Sequence, residues 1–251
     1  MTILCYHTVD AVWPDPVAVT PDDFVSHCRW LARHRRVVSL PEAVAHLRHG
    51  RLPRGVVALT FDDGFAAVHE HALPALRRHG LTATVFLVAG TLLPQGLTVD
   101  WIDPRPATPP ATLSLAQIEQ MAAQGITFGS HTMHHRDLTR MSGAECERDL
   151  RQSRVVLEDL LGRPVTLLAY PFGQHNAVVR RAARRAGYSH AFSLPGAGEL
   201  PTAMSIPRVG VYRGNGLGTF WIKNRRGYLQ ARTTRIASLT QRAAAAVGEA
   251  R

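Results

Sequence analysis

Two adjacent carboxylates are the first candidates for chemistry in this chain. Asp62 and Asp63 directly follow an apolar run at residues 56–59 and precede Gly64, which allows a sharp backbone turn. The run is too short for a helix and is typical of a buried strand. Neighbouring aspartates at the end of such a strand repel each other unless a metal ion, an arginine or a shared proton lies beside them. The pair therefore predicts a site that holds at least one of these groups.

A histidine-rich stretch at residues 130–135 supplies the second candidate. His131 and His135 are four residues apart, a spacing that places both imidazoles on one side of a helical turn. With one aspartate they would form a site of two histidines and one carboxylate, which suits Zn, Fe, Co or Mn. The other aspartate could then take a proton from metal-bound water, whose pKa of about 7 makes it a nucleophile at neutral pH.

Each of these patterns also has a simpler interpretation. The chain has 13 histidines, so one pair at this spacing can arise by chance. Asp-Asp-Gly alone is more often a turn than a catalytic site. Both patterns lie at predicted strand ends, however, together with a third motif at residues 170–173. Their combination favours a catalytic site.

Short apolar strands alternate with helices along the 251 residues of the chain. The predicted strands cover residues 3–6, 37–40, 56–59, 83–88, 126–130, 165–170 and 190–193. With no repeat and no linker, the alternation predicts one α/β domain over residues 1–251, built on a parallel sheet, with a helical tail at residues 214–251. The candidate polar residues follow four of these strands, and active sites in parallel sheets lie at that carboxyl edge.

Three motifs in this order resemble the polysaccharide deacetylase family, also called the NodB-homology or carbohydrate esterase 4 family. They are Thr60-Phe61-Asp62-Asp63-Gly64, Ser130-His131-Thr132-Met133-His134-His135 and Tyr170-Pro171-Phe172-Gly173. The resemblance covers residues 3–212 and implies a distorted (β/α) barrel of about seven parallel strands. It also implies a metal-dependent hydrolase that removes N-acetyl groups from N-acetylhexosamine units of a polysaccharide or a lipid-linked glycan precursor.

The resemblance assigns roles to individual residues. Asp62 would be the general base, and the metal ligands would be Asp63, His131 and His135. The main-chain N–H of Phe172 would help bind the tetrahedral oxyanion, a role that tolerates any side chain. Zinc is the expected metal, with Co, Mn, Ni or Fe as alternatives.

Three further residues are expected to contact the glycan substrate. Tyr170 and Pro171 belong to the third motif, and Trp101 lies in a long, proline-containing loop at residues 90–113. An aromatic ring such as that of Trp101 suits the face of a sugar, although packing within the loop is an equal alternative.

The chain departs from the family pattern at two places. Ala169 stands where many members have an arginine that pairs with the base, so this arginine is lost or comes from elsewhere, with Arg208 as the candidate. The late Leu-x-His, whose histidine protonates the leaving amine, is also missing. First and last strands can be neighbours in a closed barrel, so His7, after the first strand, is the candidate acid. The alternative for His7 is a buried histidine that bonds its own loop.

The charge and the composition of the chain indicate which partners and which cellular compartment to expect. The net charge is +10, and nearly all of the positive charges are arginines. No basic stripe is interleaved with aromatic residues, so we expect no nucleic-acid partner. The arginines can simply lie on solvated helix faces. As an alternative, a basic surface suits docking at a membrane or at a polysaccharide-synthesis complex. The N-terminus lacks a signal-peptide pattern, and the three cysteines are widely spaced. We therefore expect a cytoplasmic protein that can work at the inner face of the membrane.

Two other functions fit the same residues. An O-acetyl esterase or a cyclic-amide hydrolase would keep the metal and change the bond that is broken. A non-catalytic glycan-binding scaffold is consistent with Ala169 and with the missing late histidine. The retention of both aspartates and both histidines argues against the scaffold.

Overall fold

A computed structural model of the chain describes residues 2–48, 55–196, 201–225 and 227–233. Its strands are β1 (Thr2–Tyr6), β2 (Thr8–Val9), β3 (Ala18–Val19), β4 (Arg36–Val37), β5 (Val56–Phe61), β6 (Thr84–Leu87), β7 (Thr127–Ser130), β8 (Leu167–Ala169), β9 (His190–Ser193), β10 (Ile206–Pro207) and β11 (Val209–Gly210). Its α-helices are α1 (Pro21–His34), α2 (Leu40–Arg48), α3 (Leu73–Arg78), α4 (Leu115–Ala123), α5 (Gly143–Leu161), α6 (Ala177–Arg185), α7 (Leu217–Lys223) and α8 (Tyr228–Thr233). None of the helices in these ranges combines the length and apolar character needed to cross a membrane.

The main sheet is a barrel of parallel strands. Its strand order is β10-β9-β8-β7-β6-β5-β1-β11, and β4 pairs with the start of β5. β10 pairs with β9, β11 pairs with β1, and only Arg208 separates β10 from β11. The segment 206–210 therefore joins the two edges of the sheet. If the segment is counted as one strand, it completes a closed ring of seven strands with β1, β5, β6, β7, β8 and β9. This confirms the predicted distorted (β/α) barrel.

The helices begin where the sequence supplies caps. Thr20 accepts the N–H of Asp23 at the start of α1, and Pro21 occupies the first turn. Full capping boxes open α4, at Ser114, and α5, at Ser142. α5 ends at Gly162, whose φ of 62° is left-handed. These local signals fix the outer helices that follow β6 and β7.

Alternation along β5 decides which side chains reach the site. Successive strand residues face opposite sides of a sheet, so residues 56, 58, 60 and 62 share one face. Val56 and Ala58 lie in a buried cluster with Phe86, Ala169 and Phe192 of other strands. Val57 and Leu59 belong to a second cluster that includes residues of the outer helices. Asp62 continues the first of these faces, and its side chain meets Arg208 there.

The predicted tail is described in part. α7 and α8 lie within residues 214–251, where the sequence predicts helix. Residues 234–251 of that prediction lie outside the described residues. The assignment of residues 1–251 to one domain stays a prediction.

Candidate active site

The three predicted metal ligands come together at the carboxyl edge of the barrel. Asp63 follows β5, and His131 and His135 follow β7. Asp63 Oδ1 lies 3.2 Å from His135 Nε2 and 3.7 Å from His131 Nε2, and all three side chains are buried. One ligand atom from each residue lies within 4.8 Å of the others, which is a spacing that a single ion can bridge.

The hydrogen bond of His131 shows that this cluster fits a cation. His131 Nδ1 lies 2.8 Å from the carbonyl oxygen of Ala169, which can only accept, so Nδ1 carries the proton. Burial lowers the pKa of His131 to about 4, so the ring is neutral at pH 7 and the Nε2 lone pair faces Asp63. The lone pair of His131 Nε2 and the carboxylate oxygen of Asp63 face each other in a buried site, which is an arrangement that fits a divalent metal ion. A backbone carbonyl that accepts from the other ring nitrogen is the usual support for a histidine ligand.

The other aspartate has a different partner. Arg208 Nη1 and Nη2 donate to the two carboxylate oxygens of Asp62 at 2.6 and 2.7 Å, and Arg208 is fully buried. Burial alone would raise the pKa of Asp62, but the charge of Arg208, the nearby histidines and the hydrogen bonds from Arg208 together hold this pKa well below its usual range. Arg208 thus forms the pair with Asp62 that is expected of an arginine from elsewhere in the chain, given Ala169 at the usual arginine position. It lies in the segment 206–210, which closes the barrel.

Two residues around this ion pair were not predicted from sequence. Thr60 Oγ1 accepts from Arg208 Nη1 at 3.1 Å and donates to the carbonyl of Leu4. Cys5 Sγ donates to Asp62 Oδ2 at 3.4 Å. Both side chains face the barrel interior two residues before a site residue, so strand alternation is the signal that could have found them.

A second group of possible ligands, Cys5, His7 and Asp62, lies close together. Both oxygens of Asp62 are already bound to the positive Arg208, which opposes a cation there. Burial also raises the pKa of the Cys5 thiol well above its usual value, so it stays protonated. The cluster at Asp63 is therefore the better candidate for a cation site.

His7 lies next to Asp62, the predicted base, as its own predicted role as acid requires. One of its ring nitrogens lies within 4.8 Å of the ligand atoms of Asp62 and Cys5. Its ring is half-buried and stacks at 6.5 Å on that of Tyr212. β1 and β11 are hydrogen-bonded neighbours, so the first strand does adjoin the last, and the role of His7 as acid stays a prediction.

Two aromatic rings flank His135. The Trp101 ring stacks on it at 4.6 Å, and the indole N–H donates to Asp63 Oδ1 at 3.1 Å. Phe172 presents its ring to His135 at 4.9 Å and is 49% exposed. Both rings are therefore placed where a substrate would reach the cluster.

The other two predicted substrate contacts need correction. Tyr170 is fully buried, and its hydroxyl donates to the carbonyl of Met204 at 3.0 Å. Pro171 is buried as well. Because strand β8 runs directly into this turn, their side chains pack in the core instead of reaching solvent. The prediction that their side chains contact substrate is wrong, because neither side chain reaches solvent.

Backbone strain is concentrated at this site. Among the described residues, four that are not glycine have positive φ, and all four belong to the predicted motifs: Asp63 (68°), Thr132 (72°), His135 (52°) and Phe172 (58°). Each such conformation costs about 1–3 kcal/mol and persists only where the surroundings enforce it. The His135 N–H, for example, donates to Thr132 Oγ1 at 3.0 Å. Strain of this kind clusters at functional sites.

Residues 49–191 match the family model for polysaccharide deacetylase. The chain belongs to the polysaccharide deacetylase family. YxkH of Bacillus subtilis (strain 168), which is named for the same family, is 26% identical over 218 residues, or 85% of this chain and 72% of YxkH. The poly-beta-1,6-N-acetyl-D-glucosamine N-deacetylase of Staphylococcus aureus (strain MRSA252) is 26% identical over 205 residues, 76% of this chain and 67% of that protein.

A solved structure agrees with these relatives. IcaB from Ammonifex degensii superposes with a TM-score of 0.71 at 26% identity, over 84% of this chain and 91% of that one. The predicted family, fold and enzyme class, a glycan N-deacetylase, are confirmed. His7 and Arg208 lie outside the matched residues 49–191.

Proposed function

We propose that the chain is a metal-dependent deacetylase that hydrolyses the N-acetyl groups of an N-acetylglucosamine polymer or its precursor. The observation that carries the proposal is the unequal pairing of the two adjacent aspartates. Asp62 is paired with the guanidinium of Arg208, whereas Asp63 faces the Nε2 atoms of His131 and His135. One carboxylate is thereby left as a base and the other as a ligand.

The metal ligands are proposed to be Asp63, His131 and His135. A divalent cation bound by them, with zinc as the first choice, supplies Lewis acidity and lowers the pKa of a nearby water. Because the site has three protein ligands, it leaves an open position, which a catalytic site requires and a structural site does not.

The remaining steps belong to this chain's own residues. Asp62 accepts a proton from the water that attacks the acetyl carbonyl carbon, and Arg208 holds its carboxylate in one orientation. The main-chain N–H of Phe172 stabilises the oxyanion that forms. The C–N bond then breaks, and His7 gives its proton to the leaving amine, so that acetate and a free amino sugar are released.

Two observations support an amino-sugar polymer as the substrate. The Staphylococcus aureus relative is named for poly-beta-1,6-N-acetyl-D-glucosamine. In addition, the rings of Trp101 and Phe172 flank His135, and aromatic rings of this kind stack on the apolar faces of sugars. We propose that the sugar bearing the acetyl group lies between these rings.

Acetate release tests the proposal directly. We expect release from β-1,6-linked N-acetylglucosamine oligomers to exceed release from an O-acetylated sugar. Replacing the base, Asp62→Asn, should lower kcat about 10²–10⁴-fold, the usual contribution of a general base. Faster release from the O-acetylated sugar would favour the esterase instead. Oligomer binding without any turnover by the wild type would favour the scaffold.

A further inference from the structure

A buried carboxylate on α5 contacts the loop between the two histidine ligands. Asp149 is 5% exposed and lies in the middle of that helix. Its Oδ1 accepts the main-chain N–H of Met133 at 2.9 Å, and its Oδ2 lies 2.7 Å from Nδ1 of His134. Both contacts lie between His131 and His135.

The loop itself has a conformation that needs external support. Thr132 and His135 both have positive φ, which is costly for residues with a Cβ atom. These two turns set the direction in which the His131 and His135 side chains leave the backbone. A carboxylate that binds Met133 and His134 acts on the two residues between those turns.

A second residue of α5 acts on the same loop. Ser153 lies one helical turn after Asp149, and its Oγ lies 3.0 Å from Ser130 Oγ. Ser130 Oγ in turn accepts the main-chain N–H of Thr132 at 3.1 Å. The buried face of α5 therefore binds residues 133 and 134 directly through Asp149 and reaches residue 132 through the hydroxyl of Ser130.

A buried carboxylate is a costly way to fill a helix face, because an ionised group loses its hydration there. An apolar residue would pack α5 more cheaply if packing were the only requirement. We propose that Asp149 is a positioning residue for the metal site, which fixes the loop so that His131 Nε2 and His135 Nε2 converge on Asp63. This inference rests on the proposed metal site.

Zinc affinity tests this role, since a purely structural role would change thermal stability and leave zinc affinity unchanged. Isothermal titration of the metal-free full chain with zinc chloride should show Asp149→Ala binding about 10–100-fold more weakly than wild type, the usual loss when a group that orients a ligand is removed. Asp149→Asn should recover part of the loss, because its amide oxygen still accepts the N–H of Met133. His134→Ala should lose less than Asp149→Ala for the same reason.

The control is Asp159→Ala, which removes an exposed carboxylate from the same helix. We expect its zinc affinity to lie within about twofold of wild type, as for most surface substitutions. A folded Asp149→Ala variant with wild-type zinc affinity would overturn the inference. If that variant does not fold, unchanged zinc affinity in both Asp149→Asn and His134→Ala would overturn it equally. Failure of the wild type to bind zinc would overturn the proposed metal site itself.

Discussion

At the scale of single residues, the site depends on giving different partners to two identical neighbours. Asp62 and Asp63 are both buried, and two uncompensated carboxylates there would repel each other. The bidentate contact with Arg208 compensates one of them, and the two histidines face the other. The sequence predicts both acids and both histidines, and it suggests Arg208 as a candidate. The positive φ of Asp63 and Phe172 has no such sequence signal, since tertiary contacts impose it.

The first prediction concerns Arg208. Arg208→Lys keeps the charge but cannot form two parallel hydrogen bonds, so we expect kcat to fall about 10–100-fold while the fold persists.

Arg208→Gln removes the charge that lowers the pKa of Asp62. The base must be ionised to act, so the acid limb of the kcat/KM profile should move to higher pH in Arg208→Gln. Steady-state kinetics between pH 4 and 9 measure both effects. An acid limb at the wild-type position in Arg208→Gln would show that this arginine does not control the base.

At the scale of elements, the segment 206–210 closes the barrel and also supplies the arginine that pairs with Asp62. β10 and β11 have two residues each and pair with strands distant in sequence, β9 and β1. Local periodicity cannot reveal strands this short, so the sequence prediction ended with the strand at residues 190–193. Longer elements carry enough pattern to be found. Ser142 followed three residues later by Glu145, for example, is a sequence pattern typical of a capping box, and α5 does begin there.

A prediction at this scale concerns Gly129 in β7, two residues before His131. A Cβ atom at Gly129 would lie 2.6 Å from Cε1 of the Phe86 ring and 3.0 Å from the carbonyl oxygen of Leu167. Because both neighbours belong to the packed barrel, Gly129→Ala should reduce the free energy of unfolding by about 1–3 kcal/mol. Urea unfolding measures the change.

Gly218 in α7 is the matched control for this substitution. A Cβ atom there would meet nothing within 4 Å. Alanine favours a helix over glycine by about 1 kcal/mol at most, so Gly218→Ala should be neutral or slightly stabilising. Equal destabilisation by both variants would mean that close packing at Gly129 is not the cause.

At the scale of the whole molecule, His27 links three elements far apart in sequence. Nε2 of His27 on α1 donates to the carbonyl of Asn215, Nδ1 accepts from the Tyr6 hydroxyl of β1, and the ring stacks on Phe220 of α7 at 3.9 Å. Burial lowers its pKa from 6.5 to about 4, and the bond to Asn215 opposes the shift only in part. The ring is therefore neutral in the folded protein at pH 7.

This shift predicts how stability depends on pH. Between pH 6.5 and 4 the unfolded chain binds a proton at His27 that the folded chain does not. The contribution of His27 is complete above pH 6.5 and is lost as the pH falls toward 4, by about 3 kcal/mol at roughly 1.4 kcal/mol for each pH unit. His27→Gln should therefore flatten the decrease of Tm between pH 7 and 4.5.

The control is His34→Gln, at an exposed position near the end of the same helix. It should keep the wild-type dependence of Tm on pH. A His27→Gln variant with the wild-type dependence would assign the acid sensitivity to other groups. The predicted cytoplasmic location and membrane docking belong to this scale too and stay predictions.

Deacetylation by this chain should require a cation held by Asp63, His131 and His135. The most direct measurement is acetate release from N-acetylglucosamine oligomers by the chelator-treated chain while zinc is added back, with Asp63→Ala alongside. We predict a rate that rises with zinc and saturates near one ion per chain, as a single catalytic site requires. Asp63→Ala should remain at least about 100-fold slower at every zinc concentration. Full activity in the chelated chain, or equal rates for Asp63→Ala and wild type, would show that deacetylation does not require this cation.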